Sequence, residues 1–327
     1  MGRFVSTVTA ILGPTCSGKS AVAVELAQRC GGEIVSCDSM QVYRELNAGT
    51  AKPSADQRAN VPHHLIDFLS MHERWDAGRF RNAAEAAIHD IAARGRTPIL
   101  AGGTGLYAKA LIHQLRLSPS DETIFRAVIA QARTPQGLHA LAVEVAERDP
   151  EAAENLRANP RRLMRAVEVL RITGKLPFEL QAPSSSEVAD PAFRQFILMP
   201  EPGTHKNQIR QRTEAMLKHG WLEEVRTLAA QGLFDTPTAH QALGYRQIAR
   251  FIEQYPGGGS GNDLARLADE IAARTWQFAR RQRTWFRHQH PGAIAIAIND
   301  ASTPEAIASE VLAGSGIPEL KDKGKDK

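Results

Sequence analysis

Cysteine is scarce in this sequence. There are three in 327 residues, Cys16, Cys30 and Cys37, and no two stand in a C-x-x-C spacing. That excludes a disulfide framework and leaves no zinc or thiol-redox motif, so a reducing cytoplasm is the natural setting. Long apolar runs are also missing: none reaches the roughly 18 residues that a membrane helix needs. Internal repeats are absent, which removes solenoids and propellers. Neither histidine group, "HH" at 63–64 or "HQH" at 288–290, has the spacing of a zinc pattern. The charge excess is small, +4 with a pI of about 9.0, so its distribution matters more than its size.

What remains is a chain with 43% hydrophobic and 23% charged residues, enough to bury a sizeable core. The N-terminal "TVTAIL" reads as a buried strand; it runs straight into a glycine turn, where a signal peptide would show a cleavage site. A helix "SAVAVELAQRC", a strand "EIVSC", a polar loop "DSMQVYRELNAGTAKPS" and a short strand "HHLIDF" follow. Then come a helix "AGRFRNAAEAAIHDIAARG" and a strong strand "TPILAGG". Strands alternating with helices predict an α/β fold: a P-loop NTPase-like parallel sheet flanked by helices, with ligands outside the carboxyl ends of its strands.

After about residue 115 the pattern changes to Ala, Glu, Arg and Leu at helical spacing, with no convincing strand until "RQFILMP" near 194. The expected organisation is a first part of the core over 1–118 and a mainly helical insertion over 119–195. A return to the core with basic helices over 196–300 and a C-terminal segment over 301–327 ending in a disordered tail complete it. The serine-rich "APSSSEVADP" reads as a loop.

Gly13, Gly18, Lys19 and Ser20 satisfy G-x-x-x-x-G-K-[ST] between a predicted strand and a predicted helix. In that setting the backbone N–H groups of Gly13, Pro14, Thr15, Cys16, Ser17 and Gly18 (proline excepted) can turn in on phosphate oxygens. Lys19 adds a full charge and Ser20 a hydroxyl able to hold Mg²⁺. The motif by itself says polyphosphate. An ATPase also needs an apolar strand ending in Asp, yet the strongest later strand ends "PILAGGTGLY", and "HLID" with Asp67 is a weak substitute.

Asp38 directly follows the second strand, where a carboxylate can take a proton from an incoming nucleophile or simply cap the turn. Thr104, after two glycines, can cap a helix or bind the leaving oxygens of a diphosphate. Near the C-terminus "ARTWQFARRQRTWFRHQ" sets Arg280, Arg283 and Arg287 on one helical face with Trp276, a stripe about ten ångströms long that suits a phosphate backbone. A second cluster, Arg161, Arg162 and Arg165, lies on the exposed side of a helix whose apolar face carries Leu163, Val167 and Leu170.

Together "GPTCSGKS", "DSMQVYRELNAGTAKPS", "PHHLID", "GGTGLYAKAL", "NPRRLMRAVEVLRITGK", "GYRQ" and "RRQRTWFR", in this order over roughly residues 8–290, closely resemble the tRNA dimethylallyltransferases, also called tRNA isopentenyl-pyrophosphate transferases. The resemblance implies transfer of a dimethylallyl group from dimethylallyl diphosphate to N6 of the adenine 3′ of the anticodon, in tRNAs reading codons that begin with U. The departing group is then pyrophosphate, with Mg²⁺ near Ser20. Asp38 is implied as the base on the adenine amine, and Thr104 with Lys19 as stabilisers of the leaving group.

By the same resemblance, tRNA contacts are expected at Asp38, Ser39, Met40, Gln41 and Thr104. They are also expected at Arg161, Arg162, Leu163, Met164 and Arg165, at Gly244, Tyr245, Arg246 and Gln247, and at Arg280, Arg281, Arg283 and Arg287. Arg126 matches another such position. Cys16 departs from the usual alanine, "RWDAGRF" from a common Tyr-Ser pair, and "GGGSGN" is a local elaboration.

Three competing readings stay open: an ATP-dependent small-molecule kinase, prenyl transfer to free AMP, and a nucleotide-gated RNA-binding protein without chemistry. The first two do not account for the arginine helices, and the third leaves Asp38 and Thr104 idle. With no heptad seam or apolar surface stripe, a monomer is expected.

Overall fold

The computed structural model describes residues 4, 6–180 and 189–320. The tail expected to be disordered, 321–327, lies outside the described residues, as does most of the serine-rich loop. The elements of the first stretch are β1 (Val8–Leu12), α1 (Lys19–Cys30), β2 (Gly32–Cys37), α2 (Ala55–Asn60), β3 (His63–His64), α3 (Ala77–Ala93), β4 (Thr97–Gly102) and α4 (Gly105–Ile112). Next come α5 (Glu122–Gln131), α6 (Pro135–Arg148), α7 (Pro150–Arg157), α8 (Pro160–Thr173) and α9 (Pro177–Leu180). The chain closes with β5 (Phe193–Pro200), α10 (Pro202–Lys218), α11 (Trp221–Ala230), α12 (Tyr245–Gln254), α13 (Gly261–Gln289), β6 (Ile294–Ile298) and α14 (Pro304–Ser315).

The strands form one sheet in the order β3-β2-β4-β1-β5-β6, and every pairing is parallel. This is the α/β architecture expected from the alternation. β1 is buried at every position, as a central strand covered on both faces must be. Direction of travel places the site. From β1 the chain crosses by α1 toward the β2 side, whereas from β4, the neighbour of β1, it leaves toward β5. Right-handed crossovers in opposite directions put their helices on opposite faces, so a crevice opens between the carboxyl ends of β1 and β4. Both glycine turns lie at that crevice.

One face of the sheet carries α1 and α14, whose Val22, Leu26, Ile307 and Val311 share a core with Ile11, Ile34, Ile99 and Phe196. α3 packs against β2, β4 and α4, and Phe80 stacks on Tyr107 with ring centroids 4.8 Å apart.

Two compact units are present: residues 1–114 with 189–327, and 115–188. The expected insertion boundary at 195 cuts through β5, which belongs to the sheet. The second unit owns its core, with Val128, Leu141, Val145, Leu163 and Val167 among its members. Its helices are legible one by one, because Asp121, Thr134, Asp149 and Asn159 each cap the helix that follows and prolines open three of them. Three elements were not anticipated: α2, between the polar loop and β3; β6, an edge strand exposed along much of its length; and α14, in the segment expected only as a C-terminal extension. The loop over 38–54 contains a 3₁₀ turn at Ala48–Thr50, and α2 follows under a capping box made by Ser54 and Gln57.

Candidate active site

The phosphate-loop motif connects β1 to α1 as the sequence implies. Gly13 has φ 146° and passes so close to β5 that a Cβ there would lie 2.6 Å from the Leu198 carbonyl oxygen. Cys16 takes a left-handed φ of 58°, and Gly18, at φ 81°, precedes the first turn of α1. Lys19 folds back over the loop, donating to the Pro14 carbonyl and, at 3.3 Å, to Ser17 Oγ. Burial of its ammonium draws the Lys19 pKa down to about 8. The nearby Arg212 charge on α10 pushes the same way, against the attraction of Cys16 and Asp38. Sequence reasoning missed this influence of Arg212 on Lys19: nothing in "IRQRTEAM" separates it from its surface neighbours. Ser20 is exposed in the first turn of α1.

Across the crevice, Asp38 leaves β2. Its Oδ1 accepts the Met40 and Gln41 N–H groups at 2.8 and 3.2 Å, so the turn-capping role is real. Oδ2 takes no hydrogen bond among the described residues and is left for a ligand. Thr104 stands before α4, yet its hydroxyl does not cap that helix. Instead Thr104 Oγ1 accepts the Ser39 N–H at 3.1 Å, and the Thr104 N–H donates to the Cys37 carbonyl at 3.2 Å. Accepting from Ser39 leaves the hydroxyl proton available to donate. A Cβ on Gly102 would come within 2.1 Å of the Cys37 carbonyl oxygen, so any side chain there would force the Asp38 and Thr104 turns apart.

Gln41 braces the same loop, accepting from Ser36 Oγ and donating to the carbonyls of Thr50 and Ala51. Beyond it, Glu224 of α11 accepts the N–H groups of Asn47, Ala48 and Gly49 and the Tyr245 hydroxyl. Glu224 was not anticipated. Its loop partners lie 175 to 177 residues away in sequence, beyond any local signal.

Several residues expected to contact tRNA are buried. Tyr245 is 0% exposed, packed on Trp221 and bonded to Glu224, and Gly244 and Gln247 are buried beside it. Arg246 is exposed and lies over the Phe234 ring. On α13 the inward row is Thr275, Ala279, Gln282 and Phe286. Arg280, Arg281 and Arg287 face out, but Arg283 flanks that row and donates to the Pro200 carbonyl, so the expected stripe loses its middle cation. A hollow of about 640 Å³ opens along α13, where Arg280, Arg281, Trp285 and His288 line it. The Trp285 ring fills the place a Gly105 side chain would take, which seats the start of α4 at this hollow.

Within the second unit, Arg161 and Arg162 are exposed, and Arg126 is exposed and paired with Glu122 at 2.8 Å. Arg165 is turned in, held by the buried Glu168 and the Ser118 carbonyl at 2.6 Å each. Leu163, at 3% exposure, is part of this unit's core, and Met164 packs against it. Among the described residues no cluster of three or more His, Cys, Asp or Glu could hold a metal, and no helix is long and apolar enough to cross a membrane.

Residues 41–289 match the family model described as IPP transferase. The chain belongs to the IPP transferase family. A tRNA dimethylallyltransferase of Deinococcus radiodurans is 36% identical over 316 residues, 95% of this chain and 98% of that one. One from Methylococcus capsulatus is 42% identical over 86% of this chain and 89% of its own. Among solved structures, the full-length tRNA isopentenylpyrophosphate transferase from Bacillus halodurans is 31% identical and matches with a TM-score of 0.65, over 95% of this chain and 97% of that one. A eukaryotic dimethylallyltransferase captured acting on tRNA matches with a TM-score of 0.72 at 25% identity, over 97% of this chain and 82% of its own.

Proposed function

We propose that this IPP transferase moves a dimethylallyl group from dimethylallyl diphosphate to N6 of adenosine 37 in tRNAs reading codons that begin with U, giving N6-dimethylallyladenosine and pyrophosphate. The observation that carries the reading is the pairing of Asp38, with one oxygen uncommitted, and Thr104, with a proton to donate, on the ends of adjacent strands beside a diphosphate-type loop.

In this reaction the adenine N6 attacks C1 of the donor, a C–N bond forms, and the C1–O bond breaks with its electrons leaving on pyrophosphate. Asp38 Oδ2 accepts the amine proton. Negative charge growing on the diphosphate meets Lys19, Arg212, the Thr104 hydroxyl and the N-terminal dipole of α1. The exposed Ser20 hydroxyl is a hard oxygen donor in the position a Mg²⁺ ion would use together with diphosphate oxygens. Bound there, Mg²⁺ would neutralise charge on the departing pyrophosphate.

The acceptor base must leave its stack to reach the crevice, and single-stranded anticodon-loop bases do so most cheaply. Exposed Arg280 and Arg281 along the α13 hollow, with Arg287 exposed on the same helix, support an RNA backbone as partner over free AMP. We place the enzyme in the cytoplasm as a monomer.

Incubating the protein with Mg²⁺, labelled dimethylallyl diphosphate and an unmodified tRNA carrying A36 and A37, then analysing nucleosides by mass spectrometry, tests the proposal. Prenylated adenosine at position 37 is the expected product. Label on free AMP alone, or ATP turnover without prenyl transfer, would sink it.

A further inference from the structure

One residue of the phosphate loop is gripped at both its N–H and its carbonyl by side chains remote in sequence. The Thr15 N–H donates to Gln282 Oε1 at 2.9 Å, and the Thr15 carbonyl accepts from His205 Nε2 at 2.7 Å. Gln282 then donates its Nε2 to the Gly103 carbonyl at 2.7 Å. Both side chains are inside the protein, Gln282 at 9% exposure and His205 at 0%. A carbonyl can only accept, so His205 must carry its proton on Nε2. Its Nδ1 has no hydrogen-bond partner among the described residues, and the ring stands edge-on to Trp276.

We propose that Gln282 and His205 are positioning residues for the donor site, fixing the phosphate loop and, through Gln282, locking it to the turn that carries Thr104. The need follows from the loop itself. With φ values of 146°, 58° and 81° at Gly13, Cys16 and Gly18, it follows no regular ladder, so its shape must be imposed from outside. Gln282 also sits where the two turns meet. A Cβ on Gly103 would lie 2.9 Å from Gln282 Nε2, 3.2 Å from the Gly13 carbonyl oxygen and 3.7 Å from Lys19 Nζ. Because its N–H is already committed, Thr15 serves as the anchor and the N–H groups nearer α1 form the cradle. One helix thus does two jobs: the inward row of α13 holds the donor site, while its outward arginines face solvent.

The inference rests on the diphosphate reading of the loop, and its test separates the two. The variants are Gln282→Met, which keeps length and loses both bonds, and His205→Leu. His205→Gln retains an N–H donor near the Nε2 position. Titration with pyrophosphate and Mg²⁺ reads the donor site, and filter binding of tRNA reads the acceptor site. Gln282→Met and His205→Leu should each weaken pyrophosphate binding and raise KM for the donor by about tenfold or more, with tRNA affinity kept within about twofold. His205→Gln should restore pyrophosphate binding most of the way.

Hydrogen exchange needs no substitution: the Thr15 amide of the wild-type protein should exchange slowly with or without pyrophosphate. If wild-type protein fails to bind pyrophosphate, the diphosphate reading falls and takes the clamp with it. If wild-type binds and Gln282→Met binds equally well, or if the Thr15 amide exchanges freely, the clamp alone is wrong.

Discussion

Thr104 Oγ1 accepts the N–H of Ser39 at 3.1 Å, joining the turn after β4 to the residue that follows Asp38. Together with the Thr104 N–H bond to the Cys37 carbonyl, this bond holds the proposed base and the proposed leaving-group donor on neighbouring strand ends. Replacing Thr104 by Val removes both the donor and the acceptor, and turnover should fall by about 10² to 10³. Thr104→Ser keeps both and should stay within about tenfold of wild type. Single-turnover rates at saturating tRNA decide it, and equal rates for the Val variant and wild type would exclude Thr104 from the chemistry.

Asp38 has two jobs that substitutions can separate. Asp38→Asn keeps an oxygen for the Met40 and Gln41 N–H groups but cannot take a proton, so kcat should drop about 10² to 10⁴ while the thermal midpoint is unchanged. Asp38→Ala should lose the same activity and, in addition, about 1 kcal/mol of stability from the uncapped turn. Retained turnover in the Asn variant would mean that another group is the base.

Lys19 sets a pH limit on donor binding. In the free protein its pKa is drawn down to about 8, so above that pH the ammonium is lost from the ligand-free loop. Affinity for pyrophosphate should decline as pH rises through 8, and binding at pH 9 should take up a proton, measurable by calorimetry in buffers of different ionisation heat.

The same lowered pKa costs the fold something, and the sign is fixed by linkage. Between about 8 and 10.5 the unfolded chain holds the Lys19 proton more tightly than the native state, so native stability recovers across that window. Lys19→Met should accordingly raise the thermal midpoint at pH 7, with the gain shrinking toward pH 10 while activity is lost throughout. A gain that grows with pH would contradict the buried-ammonium account.

The arginines of α13 divide by orientation. Removing Arg280 and Arg287 together should weaken tRNA binding and lower the slope of log K against log salt by about 0.7 to 0.9 per lost phosphate contact. Arg283→Ala should leave that slope alone and reduce stability, since the Pro200 carbonyl loses its donor. Salt titrations of both variants make the comparison.

The sequence by itself determined what is local. Buried strands, the glycine turn before α1 and the capped helices of residues 122–180 each announce themselves within a dozen residues, because hydrogen bonding, φ preference and side-chain periodicity act at that range. Asp38 and Thr104 were legible for the same reason, each following the end of a predicted strand, Thr104 between two glycines. The edge strand β6 and α14 are as long as β1 and α1, but no motif flanks them and β6 is exposed at three of its five positions, so neither stands out.

Tertiary structure alone decided which way the helical side chains point and what meets at the crevice. Tyr245, Arg165 and Arg283 belong to motifs that read as surface, yet packing turns each of them inward. Gln282 lies in a motif read only for its arginines, and His205, Arg212 and Glu224 lie in none. Their roles arise because α10, α11 and α13 fold back over the loops that follow β1 and β2, and a hydrogen bond spanning 267 residues leaves no trace in the local sequence at either end.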